Sequence, residues 1–472
     1  MARLAIACLC LPVFAQADIS VETSTLNLRF SDQGKLVEAV LCYPRCQHEN
    51  ARRQRLAAID GVIDFGQMVD SRWVQRRGLP GDGSVLSGVE GQQLHFTNSD
   101  GQSVTWIIPL QGYRIEAHVT GSEQLSLRSG EHFRPRQAAG FGGWLEQVRY
   151  VAVVSGGVEQ IGLDDTDNHL VNSDWAGFRS RFWTVLVHGQ MESEIEFNTG
   201  RANQDAVLRR SNGQASEWFS FYLGPVDPRT LAAADEALDG LLYAGLWFWL
   251  RWICFALYIL LGWINAVVPA WGIAIMALSL AVHVLMLPLS RLADRLQRQV
   301  NATENRLAPE LSRIKRGYRG EEQAARIIAL YKTERVHPLY SLKSMLGVAV
   351  VIPVFIGAFD MLAENIELLN SSFLWVRDLS RPDALMQLPF SLPFFGSELN
   401  MLPFLMTGLS FAASWLHQPP DLNAELRGRQ VRNMMLLALA FFVLFYTFPA
   451  GMVLYWTSNN LISVGKNLWA RR

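Results

Sequence analysis

The residues best placed to do chemistry in this chain lie inside stretches that are otherwise apolar. His283 interrupts the run 272–289, and Ser279 stands four residues before it, one helical turn away on the same face. In the last apolar run, 434–465, Trp456, Thr457 and Asn459 supply further amphipathic groups. These side chains exchange hydrogen bonds, and histidine also titrates near neutrality, but they form no nucleophile–base set. What they offer is solvation inside a medium that provides none. An ionisable residue there is costly to bury and is read first as functional. Asp360, near the end of the run 344–363, reads as a snorkelling carboxylate, and Cys254 as an inert buried thiol.

Elsewhere the candidates thin out. His132, His169 and His188 are scattered without metal-ligand spacing and read as solvated or core-satisfied. Asp164, Asp165 and Asp167 lack the spacing of a calcium loop and read as an ordinary surface loop. No nucleophile elbow occurs, and no paired carboxylates stand near an apolar boundary, so neither enzyme chemistry nor a cofactor is expected. A net charge of −1 gives no bulk attraction to nucleic acid. Cys42 and Cys46 flank Tyr43-Pro44-Arg45. An extended strand would hold them too far apart to bond, whereas a turn at Pro44 brings them within disulfide range; both readings stand at this level, the bridged one as a structural staple.

Two kinds of element must position these groups. The chain has 472 residues, long enough for two domains. Over residues 18–228 polar and apolar residues alternate with period two, as in Ile19-Ser20-Val21-Glu22-Thr23, Thr25-Leu26-Asn27-Leu28-Arg29-Phe30 and Gln93-Leu94-His95-Phe96. Frequent Gly, Asp and Asn turns separate these segments, which predicts an antiparallel β-sandwich closed by Gly224-Pro225-Val226-Asp227-Pro228. Beyond it come apolar runs at 246–268, 272–289, 344–363, 401–416 and 434–465. The last would extend about 48 Å as one helix, too long for one crossing, and Pro449-Ala450-Gly451 divides it into two short spans.

Charge orients the runs. Residues 291–338 carry eleven Lys and Arg against six Asp and Glu. Arg427, Arg429 and Arg432 mark a second basic loop, and Lys466, Arg471 and Arg472 a third basic segment, whereas 365–400 holds only Arg377 and Arg381. The positive-inside rule puts the basic segments in the cytoplasm. The first residues, with Arg3, the apolar stretch Leu4–Phe14 and small residues at Ala15 and Ala17, read as a signal peptide, 1–17, that exports the β-domain. An odd number of crossings must then separate the β-domain from 291, so one of the first two runs does not span. The run 246–268 contains Arg251 with Trp247, Trp249, Trp252, Tyr258 and Trp263, and is expected to lie on the outer surface as an interfacial amphipathic helix. The expected architecture is therefore a linker and interfacial helix at 229–268 and a five-span membrane α-helical bundle at 269–472. The segment 291–338, with Pro309 and Gly317-Tyr318-Arg319-Gly320, is expected to form an antiparallel cytoplasmic helical hairpin.

Several segments resemble the YidC family of membrane protein insertases, within the YidC/Oxa/Alb superfamily. Phe448-Pro449-Ala450-Gly451-Met452-Val453-Leu454-Tyr455-Trp456 with Asn459-Asn460 is similar to the signature of that family's last span. Trp271-Gly272, Pro288-Leu289, Ala329-Leu330-Tyr331-Lys332 with Pro338, Trp375-Val376-Arg377-Asp378-Leu379-Ser380 with Asp383, and Tyr222-Leu223-Gly224-Pro225 match further family segments in order. The resemblance implies an inner-membrane chaperone that receives nascent membrane proteins, alone or from the Sec translocon, and releases them into the bilayer through a polar groove. It also implies contact of the basic hairpin with ribosome or signal-recognition components, although that segment reads equally as a solvated hairpin facing lipid headgroups. Trp456 matches the position of a bulky aromatic that contacts substrates. His283 falls where the family carries an arginine, so this groove is expected to be uncharged, or charged only with an acidic substrate side chain present. His337 replaces a common asparagine before Pro338, the segment Pro338–Pro353 is longer than usual, and no long basic tail follows Arg472 for ribosome docking. The alternative is a non-inserting scaffold or assembly factor that holds one membrane partner, with His283 merely stabilising the bundle. A transporter is disfavoured because inverted repeats are missing.

Overall fold

The computed structural model describes residues 18–58, 61–65, 72–78, 90–99, 101–121, 124–129, 133, 139–154, 157–162, 170–197, 206–211, 216–334, 336, 342–416 and 424–469. Residues 1–17, His132, Asp164, Asp165, Asp167, His169, His337 and Pro338 lie outside them, and so do the expectations attached to them. Two compact units result, one of residues up to Pro135 with Gln147–Leu241, the other of Arg136–Glu146 with Leu242–Arg472.

The first unit is β-rich and its strands pair antiparallel, as the alternation predicts. Ile19–Glu22 and Leu26–Phe30 bury every second residue, the period at which side chains fall on one sheet face. Phe30 and Trp106 stand on strands that are not ladder neighbours, yet their rings lie 5.2 Å apart. Trp106 also meets Phe65 at 5.6 Å and Phe221 at 5.8 Å. The sheet therefore folds over on itself and encloses an aromatic core. The indole N–H of Trp106, otherwise an unpaired donor in that core, donates to the Gly34 carbonyl at 2.9 Å. Cys42 and Cys46 are disulfide-bonded with Cα atoms 5.0 Å apart, and the Tyr113 hydroxyl donates to the Cys42 carbonyl at 2.7 Å.

The sequence closes this domain at Pro228, but the compact unit continues to Leu241. Helix α1 (Pro228–Ala234) is capped by the Asp227 carboxylate, which accepts from the backbone N–H groups of Arg229 and Thr230. Arg114 donates to the Ala234 carbonyl at 2.9 Å and the Trp175 indole to Asp235 at 3.1 Å, so the segment packs onto the sheet. His188 packs edge-on to Trp175 at 4.9 Å, and burial lowers its pKa below the ordinary histidine value.

The second unit is helical. It contains α2 (Phe248–Val267), α3 (Trp271–Leu285), α4 (Leu287–Gly317), α5 (Gly320–Thr333), α6 (Leu342–Glu364), α7 (Leu402–Leu416), α8 (Ala424–Phe445) and α9 (Ala450–Trp469). A short hairpin of Met386–Leu392 and Gly396–Leu399 precedes α7. α4 runs through Pro309 and turns back into α5 at Tyr318-Arg319, with Arg306 and Glu334 paired at 3.4 Å across the hairpin.

Among the described residues, two helices, Phe248–Val267 and Arg427–Phe445, suffice by length and composition to cross a membrane, and a third crossing is available if α3 and α4, bent by 54°, count as one span. That measure falls short of five. It also includes α2, the helix read from its aromatics as interfacial. α2 is apolar nearly all round: Leu250, Cys254, Leu257 and Leu261 are buried on one face while Trp252, Ile259 and Trp263 stand exposed on the other. α2 packs on α6, where a Cβ on Gly357 would lie 2.7 Å from the Ile253 side chain.

Candidate functional site

α9 organises the helical unit, because α3, α6 and α7 all pack against it. A helix covered on several sides must be apolar all round, and Ala450, Gly451, Met452, Val453, Leu454 and Tyr455 are buried in succession. Its start is fixed by backbone rather than by a side-chain cap: the N–H groups of Ala450 and Gly451 donate to the carbonyls of Arg381 and Leu379 at 2.7 and 2.8 Å. Pro449, at the break, suits a helix start because it has no N–H to leave unpaired. Gly451 keeps this approach close, with Ile275 of α3 and Leu368 already within van der Waals reach of a Cβ there.

Further along α9 the polar residues face in different directions. The Ser279 hydroxyl, fully buried on α3, donates to Asn459 Oδ1 at 2.9 Å. Asn460 faces α7 instead, with Nδ2 donating to the Met406 carbonyl at 3.0 Å and to Ser410 Oγ at 2.6 Å. Asn467 repeats this two turns later, donating to the Ala413 carbonyl at 3.1 Å. Three asparagines thus fasten α9 to two neighbours at successive levels of an apolar bundle.

The structure brings Ser279 and Asn459 together and separates the other candidates from them. Trp456 sits in an aromatic cluster with Phe355 of α6 at 4.7 Å and Phe441 and Phe445 of α8 at 5.0 and 5.7 Å. Thr457 turns its hydroxyl back to the Val453 carbonyl, 2.7 Å away on its own helix. His283 lies one turn beyond Ser279, half-buried near the end of α3. Lys466 is exposed in the last turn of α9. From the sequence Lys466 serves only to orient the last helix. The helical spacing Asn459–Ser463–Lys466 was the available signal that it shares the face of Asn459, since residues three and four apart lie together.

The arrangement offers hydrogen-bond exchange in an apolar surround, with a cation at one end. Among the described residues no group of three or more His, Cys, Asp or Glu side chains is placed to hold a metal ion.

Residues 263–472 match the family described as 60Kd inner membrane protein. The chain is 33% identical over 254 residues to the membrane protein insertase YidC of Laribacter hongkongensis, covering 53% of this chain and 41% of that one. It is 30% identical over 317 residues to the same-named protein of Marinobacter nauticus, covering 65% of this chain and 51% of the relative. With that of Cellvibrio japonicus the identity is 34% over 250 residues, 52% of this chain and 40% of the other. The matched region therefore spans about half the length of these curated relatives or less. A crystal structure of an active YidC insertase, with its first transmembrane domain resolved, aligns over 95% of this chain and 92% of that one at 17% identity, with a TM-score of 0.37, too low for the two folds to be compared in detail. The helical unit that carries Ser279, His283 and the α9 asparagines is thus the part of this chain that matches the 60Kd inner membrane protein family and is similar to the insertases named YidC.

Proposed function

We propose that this protein is a membrane protein insertase: it receives nascent membrane proteins at the seam between α3 and α9 and releases them into the bilayer. The observation that carries this reading is the buried Ser279–Asn459 pair within a domain whose relatives are named insertases. A polar segment entering hydrocarbon unaided is costly, about 2.5–3.5 kcal/mol for a single central charge on translocon scales. A seam lined by hydroxyl and amide groups lowers that barrier by exchanging partners with the segment as it passes. Ser279 and Asn459 supply these contacts in our reading, Trp456 adds an aromatic surface toward α6 and α8, and His283 and Lys466 stand at the inner end. Release needs no covalent step, because hydrophobic partitioning drives the client into lipid.

In this reading residues 1–17 are a signal peptide, residues 18–228 lie in the periplasm, and the crossings are α3, α6, α7, α8 and α9. α4 and α5 then form the cytoplasmic hairpin, and the last residues are cytoplasmic. α2 stays on the outer surface, since a crossing there would put the basic α4–α5 segment on the periplasmic side, against the charge rule. α3 and α7, of 15 residues each, favour local thinning of the bilayer around the seam. The Sec translocon and the ribosome are the proposed sources of clients.

The experiment is rescue of an insertase-depleted strain, with protease protection of a single-span reporter as readout. Rescue by the intact chain and its loss in a Ser279→Leu, Asn459→Leu double variant that still accumulates in the membrane is the expected result. Membrane accumulation without any reporter insertion would overturn it. The scaffold reading has its own support, because Ser279, Thr457, Asn459, Asn460 and Asn467 are all engaged within the bundle. A scaffold would co-purify with one stoichiometric partner and leave the reporter uninserted.

A further inference from the structure

The hairpin Met386–Leu399 carries an apolar face that its own unit leaves uncovered. The first strand pairs with the second at its two ends, Met386 and Gln387 with Leu399 and Glu398 and Leu392 with Gly396, and an irregularity between them leaves the intervening residues without a regular ladder. Met386 is 52% exposed, Phe390 57% and Leu392 40%. From residue 384 to residue 397 the sequence has no charged residue. A soluble hairpin of this size with such a face would invite aggregation, so the face calls for an occupant.

The hairpin is anchored where it meets the helices. Phe395 stacks edge-on against Tyr446 at 5.0 Å, the Tyr446 hydroxyl donates to the Glu398 carbonyl at 3.0 Å, and Asn400 donates to the Tyr446 carbonyl at 2.7 Å. Phe394, at the turn, packs against Phe141 at 4.9 Å. The exposed face is therefore presented by a fixed support, not by a loose loop.

The neighbouring helix identifies the occupant. α7 begins at Leu402, three residues after the hairpin ends, and exposes Phe404 and Leu405 in its first turn. With 15 residues α7 is about 22 Å long, whereas the hydrocarbon layer is about 30 Å thick. A span this short leaves an apolar gap at one end, and the uncharged hairpin continues the apolar surface of α7 at its first end. We infer that the exposed apolar side chains of Met386, Phe390 and Leu392 dock into the outer leaflet of the lipid bilayer as a wedge that extends the short α7 crossing. The occupant is lipid because the face continues an exposed apolar helix surface and carries no charge with which to choose a protein partner. This inference rests on the proposed reading that α7 crosses the membrane.

The test places single nitroxide labels by Phe390→Cys, Leu392→Cys, Gln387→Cys and Phe411→Cys in the full chain with Cys8, Cys10 and Cys254 changed to Ala. The chain is reconstituted in vesicles of phosphatidylethanolamine and phosphatidylglycerol. Collision rates with oxygen, which concentrates in lipid, and with a water-soluble nickel chelate report depth. At 390 and 392 the oxygen-to-nickel ratio should be several-fold higher than at 387, and it should be high at 411 within α7. A ratio at 390 and 392 equal to that at 387, with 411 still high, overturns the wedge and leaves the spanning reading intact. A low ratio at 411 as well overturns the spanning reading itself. Spin–spin broadening at 390 with low collision rates for both reagents would mean that a second copy covers the face, and would also overturn the inference.

Discussion

Ser279 of α3 and Asn459 of α9 are joined by a 2.9 Å hydrogen bond in which the buried hydroxyl donates to the amide oxygen. It joins the two helices one turn before His283 on α3 and two turns before Lys466 on α9. On its other sides α9 is tied to α7 by Asn460 and Asn467 and lies against α6 through Trp456. Of the described bonds between α3 and α9, this side-chain pair is the one that a polar client segment could replace group for group.

A double-mutant cycle of Ser279→Ala and Asn459→Ala should therefore yield a coupling energy. Interhelical bonds of this kind average about 0.6 kcal/mol and reach about 1.7 kcal/mol, and full burial puts this one toward the upper end. Unfolding of the purified chain in detergent measures it. Additive single-variant effects would mean that the pair is not coupled.

The inner end of the seam should respond to charge. Lys466→Gln combined with His283→Ala should reduce insertion of a reporter with acidic residues in its translocated segment more than insertion of one with a neutral segment. His283→Arg should restore the acidic reporter in the Lys466→Gln background. Equal loss for both reporters would assign these residues to packing.

The parts of this site were legible in the sequence to different depths. Ser279 and Asn459 stood out singly, because hydroxyl and amide groups in apolar runs need partners. Their pairing was not legible, since it depends on which faces of α3 and α9 meet 180 positions apart. Trp456 reads with Asn459 from sequence alone, but its large ring reaches Phe355 and Phe441 on other helices. In the β unit, alternation gave the inward residues of Leu26–Phe30 directly, while the return of the sheet that puts Phe30 against Trp106 is a long-range matter. Met386–Leu392 lies in the segment 365–400, read from its charge only as an outer loop, so neither its strand pairing nor its exposed apolar side chains were legible.

Gly272 and Gly262 should behave oppositely on substitution by alanine. A Cβ on Gly272 would overlap the Phe373 ring, and overpacking of this kind costs about 1–3 kcal/mol. A Cβ on Gly262 meets nothing, so Gly262→Ala should be neutral or gain about 0.5–1 kcal/mol from helix propensity. Thermal unfolding in detergent should show a lower midpoint for Gly272→Ala and an unchanged or higher one for Gly262→Ala. A Gly272→Ala protein as stable as the parent would mean that the Phe373 ring moves aside freely.

In the β unit, Glu38 ties three strands together and should make stability depend on pH. Its carboxylate accepts from Arg55 on one side and from Arg29 at 2.5 Å on the other, linking Leu36–Tyr43 to Arg52–Ala57 and Leu26–Phe30. The hydrogen bond from Arg55, and then that from Arg29, hold its pKa below the ordinary glutamate value against the opposing effect of burial. A carboxylate whose pKa is lower folded than unfolded stabilises the fold above the unfolded value, and that contribution fades as the pH falls through the folded value. The loss should therefore begin near the ordinary glutamate range, at about pH 4–5, and grow on further acidification. Both arginines are more than a third exposed, so solvent screening limits the contribution to about 0.5–1 kcal/mol. Denaturation of the full chain followed by tryptophan emission, from pH 7 down to pH 3.5, should show Glu38→Gln less stable at neutrality and converging on the parent at the acid end. Parallel curves across that range would remove Glu38 as a source of acid sensitivity.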